Sequence, residues 1–199
     1  MKNVHWLGTA GIKITGSKVV YVDPYRIAGG ETADLILITH DHFDHLSEDD
    51  IAKIRGPKTV LVCPASVSAD LGDPVKRVKP GDRIAVEGVE IEAVPMYTIG
   101  KPFHPKQKQY TGYVFTMDGM RYYHAGDTDL IPEMKSIRAD VAFLPVGGTY
   151  TMNAREAADA CAWLQPKTAV PIHPLDSPKC LQEFKRLAPC PVEVLEKEL

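Results

Sequence analysis

Short runs of aliphatic, aromatic and β-branched residues, separated by Gly, Asp or Pro, dominate the first two thirds of the chain. Runs of this kind, bounded by turn-forming residues, are typical of β-strands. Asp118–Gly119 predicts a tight hairpin turn, because both residues tolerate the positive φ that such turns require. The segments predicted as strands are NVHWL, GIKIT, KVVYVD, DLILIT, TVLVC, RIAVEG, VEIEAVPMY, TGYVFTMDG and MRYYHA.

A smaller part of the chain has the pattern of amphipathic helices. Ser47 is a predicted N-cap of a helix that stops at Gly56–Pro57. Asn153 and Glu156 form a predicted capping box, and the helix they begin ends before Pro166. These signals place helices between groups of strands.

The pattern near the C-terminus predicts a third helix, with Ser177 as its cap and Leu181, Phe184 and Leu187 as its apolar stripe. Shorter helices are predicted in IPEMKSI and PASVSADLG. Strands with helices at intervals indicate an α/β layered structure. At 199 residues the chain is predicted to be one domain spanning residues 1–199.

The amino-acid composition is that of a globular protein. Hydrophobic residues make up 44% and charged residues 25%, as in an average globular protein. No apolar run approaches the roughly 20 residues that cross a bilayer, and the N-terminus lacks a signal-peptide core, so no membrane association and a cytoplasmic location are expected. A net charge of -3 argues against a nucleic-acid partner. The four cysteines suggest reduced thiols, with a Cys180–Cys190 bridge as an alternative.

Three clusters of histidine and aspartate follow apolar segments: HDHFDH at 40–45, HAGDTD at 124–129 and PIHP at 171–174. Imidazole and carboxylate together suit divalent metals such as zinc, whose binding compensates for crowding these groups. In an extended segment a turn after Asp44 would let one loop serve two ions, with His40 and His42 at one and Asp44 and His45 at the other. The isolated His5 is instead interpreted as a packed or solvated side chain.

The motifs resemble those of a known family. THDHFDH matches the H-x-H-x-D-H signature of the metallo-β-lactamase superfamily, YYHAGDTD resembles its strand-end aspartate motif, and AVPIHP resembles its final histidine motif. VDPY, HAGDTD, FLPVGGTYTM and VPIHP are most similar to small metal-dependent hydrolases related to ascorbate-phosphate lactonase. The resemblance implies a four-layer αββα sandwich with its site along one edge between the sheets.

The resemblance also implies a set of ligands for two divalent ions, zinc in the first place, with manganese, iron or nickel as alternatives. Asp44 and Asp127 are then the predicted catalytic residues, and Asp23 supports the site from behind the ligands. The implied ligands are His40 and His42 for the first ion, Asp44, His45 and His173 for the second, and Asp127 for both.

One position departs from the superfamily pattern. Relatives usually carry another histidine at the end of the strand that here reads EAVPMYTIG, where this chain has Met96, Tyr97 and Thr98. His104, in the following loop, is the nearby histidine that could take its place. The alternatives are that His104 contacts substrate, that it is exposed, or that the first metal keeps an extra water.

The implied reaction is attack by a metal-bound hydroxide on an ester, lactone, amide or phosphodiester of a small molecule. The chain has no G-x-S-x-G, P-loop, G-x-G-x-x-G or H-E-x-x-H motif that would indicate another chemistry. Lys101, Lys106 and Lys108 could attract an anionic substrate, or could form a solvated basic loop. Tyr97 and Tyr150 could donate to an oxyanion, or could serve packing alone.

Two other functions are compatible with the same residues. One is a phosphodiesterase or nuclease of the same fold, which the net charge of -3 disfavours. The other is a non-catalytic metal-binding sensor, which the missing histidine favours. The pattern leaves the oligomeric state open.

Overall fold

Two six-stranded sheets face each other in the part of the chain that a computed structural model describes, residues 1–175 and 178–198. The first sheet follows chain order and is antiparallel at β1–β3 and parallel from β3 to β6. Its strands are β1 Val4–Gly8, β2 Gly11–Thr15, β3 Val19–Val22, β4 Ala33–Leu37, β5 Arg55–Pro64 and β6 Val75–Val78.

The second sheet has the strand order β12-β11-β10-β9-β8-β7. It is antiparallel from β7 to β10 and parallel from β10 to β12. Its strands are β7 Arg83–Val86, β8 Val89–Pro95, β9 Thr111–Met117, β10 Met120–His124, β11 Val141–Pro145 and β12 Thr168–Ile172. Strands β8, β10 and β12 therefore run in one direction, and their carboxyl ends lie at one edge.

Helices cover the outer faces of the two sheets. They are α1 Glu48–Ile54, α2 Ala154–Leu164 and α3 Pro178–Leu187, and short 3-10 turns occupy Lys106–Lys108 and Pro132–Ser136. Ser47 caps α1 by accepting from the Asp50 amide, and Asn153 and Glu156 form the capping box of α2. Both predicted caps are confirmed, whereas Ser177 lies outside the described residues.

Successive side chains along a strand point to opposite faces of the sheet, and this divides the core into layers. In β4, Leu35 and Leu37 pack between the sheets, while Ile36 packs on the outer face with Ile51 of α1. On the far side, Tyr123 and other outward residues of the second sheet pack against α2 and α3. Strand β4 is thus buried on both faces, which explains the unbroken apolar run LILI. The predicted four-layer αββα sandwich is confirmed.

The segment PASVSADLG does not form the predicted helix. Three of its carbonyl oxygens accept from arginine side chains instead of from amides one turn along: Arg77 donates to Val67 and Ala69, and Arg55 donates to Leu71. Two strands, β6 and β11, were also not predicted, whereas β12 is the apolar run TAVPI that was expected to lead into His173 as a strand. No disulfide joins the four cysteines, and the Cys180 thiol donates to the carbonyl of Pro174 at 3.3 Å.

The loops that follow β4, β8, β10 and β12 carry the predicted histidine and aspartate residues. Loops at the carboxyl ends of strands are positioned by a rigid base and commonly carry functional groups. Among the described residues, no helix has the length and apolar character needed to span a membrane.

Candidate metal centre

The predicted ligands converge into three overlapping groups of potential metal-binding atoms. Within each group the atoms lie no more than 4.8 Å apart. His40 belongs to two groups and His45 belongs to two, so the three groups form one continuous centre. The groups are His40, His42 and His104; His40, His45 and Asp127; and Asp44, His45 and His173.

His104 lies beside His42, although the end of strand β8 supplies no histidine there. Its Nε2 lies 3.2 Å from His42 Nδ1 and 3.5 Å from Asp127 Oδ2, and the side chain is buried. Met96, which stands at the end of β8, instead places its sulfur 3.2 Å from the Asp127 amide. The loop thus brings in a histidine that the strand end does not supply.

The other side of the centre is formed by Asp44, His45 and His173. His173 Nε2 lies 3.4 Å from Asp44 Oδ2, and His45 Nε2 lies 3.9 Å from the same oxygen. Asp127 stands between the two sides, 3.3 Å from both His45 Nε2 and His173 Nε2. Ligands held at about 2.0–2.1 Å in a tetrahedron around zinc lie roughly 3.3–3.4 Å apart, so these separations suit such an ion.

Gly126 makes room for Asp127 to enter the centre. Its φ is +62°, a conformation that side chains rarely adopt, and a Cβ there would collide with the Met96 sulfur and the Thr39 side chain. A residue with a side chain at this position would therefore strain the backbone that leads into Asp127.

A hydrogen-bond chain behind the centre fixes the tautomers of two histidines. Asp23 is fully buried and accepts from the Thr39 amide at 2.8 Å, the Thr39 hydroxyl at 2.6 Å and His45 Nδ1 at 2.8 Å. Since the Thr39 hydroxyl donates to Asp23, it accepts from His40 Nδ1 at 3.0 Å. Both imidazoles therefore carry their proton on Nδ1 and turn the lone pair of Nε2 into the centre.

Two residues of this centre have a strained backbone conformation. Asp23 has φ +47° and His173 has φ +51°, in the left-handed region that non-glycine residues rarely occupy. The His173 amide donates to the carbonyl of Thr9 at 2.8 Å, which ties the end of β12 to the β1–β2 turn. Strain of this kind persists where surrounding contacts enforce a functional geometry.

Buried atoms without hydrogen bonds mark the place where a cation fits. Among the described residues, His40 Nε2, His45 Nε2 and Asp127 Oδ1 are buried and make no hydrogen bond. Leaving such atoms unpaired is costly, and bound divalent cations would satisfy them. The donor set of imidazoles and carboxylates is the one that zinc and related divalent ions use. The residues therefore fit the implied metals.

The histidines of the first side are held neutral. Burial, reinforced by the charge of His45, holds the pKa of His40 well below its usual value. Burial also lowers the pKa of His42, and it lowers the pKa of His104 to about 4. Neutral imidazoles are the form that binds a metal.

The opposite side attracts positive charge. Burial opposes ionisation of Asp127, but the neighbouring His45 and His173 outweigh it and hold the pKa of this carboxyl well below its usual value. Burial lowers the pKa of His45, yet the carboxylates of Asp127 and Asp23 raise it on balance. A divalent cation is drawn to the same carboxylates and can replace the imidazole proton.

Three of the four predicted substrate residues are paired with other groups and are not among the residues that line the cavity over the centre. The Tyr97 hydroxyl donates to Glu133 at 2.9 Å, and Lys106 is paired with the same carboxylate at 2.9 Å. Lys101 is ion-paired with Asp129 and donates to the carbonyl of Thr151. These pairs fasten the loop that carries His104 from both ends, so the three residues hold the loop instead of lining the cavity.

Tyr150, the fourth predicted residue, does line the cavity that opens over the metal-binding groups. The cavity has a volume of about 600 Å³. Sequence reasoning missed two kinds of residue here: Thr39, which connects Asp23 to His40, and the exposed aromatic residues. An apolar side chain inside a histidine motif, as at Phe43, is the signal that could have revealed the latter. The lining residues are Asp41, His42, Phe43, Asp44, Phe103, His104, Asp127, Tyr150, His173 and Leu175.

Comparison with known proteins identifies the family. The family model described as a beta-lactamase superfamily domain matches residues 3–173. This chain belongs to the metallo-β-lactamase superfamily. Within the superfamily it is 36% identical to a UPF0173 metal-dependent hydrolase of Methanoregula boonei, covering 84% of this chain and 80% of the relative. It is 33% identical to one of Thermococcus onnurineus, covering 98% and 96%.

Comparison with solved structures supports the same assignment. A protein of Parabacteroides distasonis assigned as a metal-dependent hydrolase is 33% identical, with a TM-score of 0.88 and coverage of 98% of this chain and 93% of that chain. A metallo hydrolase of Ignicoccus hospitalis has a TM-score of 0.78 at 24% identity, covering 98% and 95%, which supports the fold. The prediction of a metal-dependent hydrolase is confirmed at the level of the family.

Replacing His104 is expected to affect one metal only. His104→Ala removes a donor beside His42 and leaves the groups around His45 intact, so one of two cations should bind about 10- to 100-fold more weakly. Metal content after dialysis, measured by plasma mass spectrometry, checks this. His5→Ala is the control, because His5 lies outside the centre beside Glu198. Unchanged metal content in His104→Ala would exclude His104 as a ligand.

Proposed function

We propose that this chain hydrolyses an ester or lactone bond of a small molecule at a centre of two divalent cations, with zinc as the first candidate. The observation that carries the proposal is the convergence of seven ligand-type side chains from four strand ends, five of which line one cavity. His40, His42 and His104 would hold one cation, Asp44, His45 and His173 the other, and Asp127 would contact both.

Divalent cations bound in such a centre would supply Lewis-acid chemistry, which would polarise the scissile carbonyl and lower the pKa of a water toward about 7. The protein's own contribution is orientation and charge. Asp23 and Thr39 hold the imidazoles of His45 and His40 with Nε2 inward, so little reorganisation accompanies reaction. Asp44 faces the cavity and is the carboxylate placed to orient a water and receive its proton.

The cavity of about 600 Å³ suits a small-molecule substrate. Resemblance to the ascorbate-phosphate lactonase group supports a lactone or related ester as the bond cleaved. In the described part of the chain no Ser, Cys or Lys side chain lines the cavity, so a water activated by the bound cations would be the nucleophile.

Turnover with and without metal tests this proposal. The chain is purified, stripped with a chelator and reloaded separately with zinc, manganese, iron(II) or nickel. It is then assayed on 4-nitrophenyl esters, δ-lactones and bis-4-nitrophenyl phosphate. We expect ester or lactone hydrolysis that disappears with the chelator and returns with metal. Two bound metals without any hydrolysis would favour the sensor, and turnover of the phosphodiester alone would favour a phosphodiesterase.

A further inference from the structure

Exposed apolar side chains are concentrated around the cavity over the metal centre. The described chain has five large hydrophobic residues that are exposed: Phe43 at 75%, Ile99 at 59%, Phe103 at 48%, Val194 at 42% and Tyr150 at 39%. Three of these five, Phe43, Phe103 and Tyr150, line this one cavity. Clustered exposed apolar surface marks a binding site, whereas scattered exposure does not.

The aromatic residues form an ordered rim. Phe103 and Tyr150 pack edge to face with ring centroids 4.9 Å apart, and Phe43 packs edge to face against Tyr25 at 5.9 Å. Leu175 adds a further apolar side chain to the lining. Apart from Asp41 and the residues of the metal-binding groups, the described lining therefore consists of Phe43, Phe103, Tyr150 and Leu175.

Side-chain charge around the cavity disfavours an anionic substrate. No lysine or arginine is found among its described lining residues. The nearby Lys101 and Lys106 are paired with Asp129 and Glu133. Asp41 does line the cavity, and its carboxylate accepts from the Tyr110 hydroxyl at 2.5 Å. A phosphate or carboxylate held away from the reacting bond would find no cationic side chain there and would meet this aspartate.

We propose that the rim selects substrates with an uncharged aryl or alkyl group beside the scissile bond and disfavours those with a remote phosphate or carboxylate. This proposal rests on the proposed hydrolysis and names its substrate class. It replaces the anionic substrate that the loop lysines suggested. Phe103 and Tyr150 are the residues that contact the apolar group.

A matched pair of esters tests this selectivity. 4-Nitrophenyl hexanoate and mono-4-nitrophenyl adipate share a leaving group and an acyl chain length, and differ in a terminal methyl or carboxylate. We expect kcat/KM to be at least about tenfold higher for the hexanoate. Equal or higher kcat/KM for the adipate would overturn the proposal.

Variants of Phe103 locate the preference at the rim. Phe103→Ala should lower the hexanoate-to-adipate ratio of kcat/KM by about tenfold, and Phe103→Lys should lower it further by pairing with the adipate carboxylate. The ratio cancels differences in active fraction between preparations. Ile99→Ala is the control, since Ile99 is exposed but does not line the cavity. If Phe103→Ala leaves the ratio as unchanged as Ile99→Ala does, the rim has no such role.

Binding separates this proposal from the hydrolysis proposal. N-(4-nitrophenyl)hexanamide and N-(4-nitrophenyl)adipamic acid carry the same two groups on a less reactive amide, and calorimetry measures their affinities for the metal-loaded chain. We expect the hexanamide to bind about tenfold more tightly, and Phe103→Ala to abolish the difference. Absence of ester and lactone turnover would reject the proposed function, whereas equal or tighter binding of the adipamic acid would reject the rim selectivity.

Discussion

Asp127→Asn is expected to release both cations and to lower kcat/KM by at least about a thousandfold. The side chain is buried and lies 3.3 Å from both His45 and His173 and 3.5 Å from His104, so its charge is shared by both sides of the centre. Asparagine keeps the size of the side chain and removes that charge. A carboxamide cannot offset the repulsion between two neighbouring cations.

Plasma mass spectrometry and steady-state kinetics on the dialysed variant check this expectation. Asp41→Asn is the matched control: it removes a carboxylate from the same cavity that belongs to none of the ligand groups. We expect this control to retain both metals. Full metal content in Asp127→Asn would show that the carboxylate does not connect the two sites.

Asp23→Asn is expected to weaken metal binding by about 100-fold, although Asp23 belongs to none of the ligand groups. The carboxylate accepts from the Thr39 hydroxyl and from His45 Nδ1 through the same oxygen. Either orientation of the asparagine amide disturbs this arrangement. An NH₂ that faces Thr39 meets the Thr39 amide donor, and an NH₂ that faces His45 donates to Nδ1 and moves the imidazole proton to Nε2. The lone pair that faces the centre would then be blocked.

Competition with a chromophoric chelator measures the affinity of the variant. ¹⁵N NMR of the metal-free protein, at a pH above the raised pKa of His45, reports the His45 tautomer. Asp50→Asn is the control, because Asp50 is also buried and accepts from the amides of Arg26 and Ile27. It should lower stability without changing metal affinity. Equal loss of metal in the two variants would indicate a general structural effect and contradict the tautomer argument.

The parts of the structure that sequence predicted well depend on local patterns. Strand β4 was visible because LILI is buried on both faces, and the caps at Ser47 and Asn153 follow from the chemistry of a helix N-terminus. The motif HDHFDH was conspicuous because crowded imidazoles and carboxylates need a cation. One geometric detail was wrong: residues 41–45 form a turn, with the His45 and Leu46 amides donating to the His42 carbonyl, and are not extended.

Features that depend on tertiary packing could not be predicted. Lys101 and Lys106 lie close to His104 in the chain. In the folded protein they form ion pairs with Asp129 and Glu133 and do not line the cavity. The helix expected in PASVSADLG is replaced by a loop because arginines from β5 and β6 bind its carbonyls. Phe103 and Tyr150 are far apart in the chain and meet only in the folded protein. Sequence proximity therefore indicated the centre but not its substrate surface.

Crystallographic anomalous scattering from zinc-loaded protein tests the central claim most directly. We predict two peaks at the floor of the cavity, one among His40, His42 and His104 and one among Asp44, His45 and His173, with Asp127 in contact with both. Bound zinc at other positions, or no peak at this centre in protein that hydrolyses esters, would contradict the account.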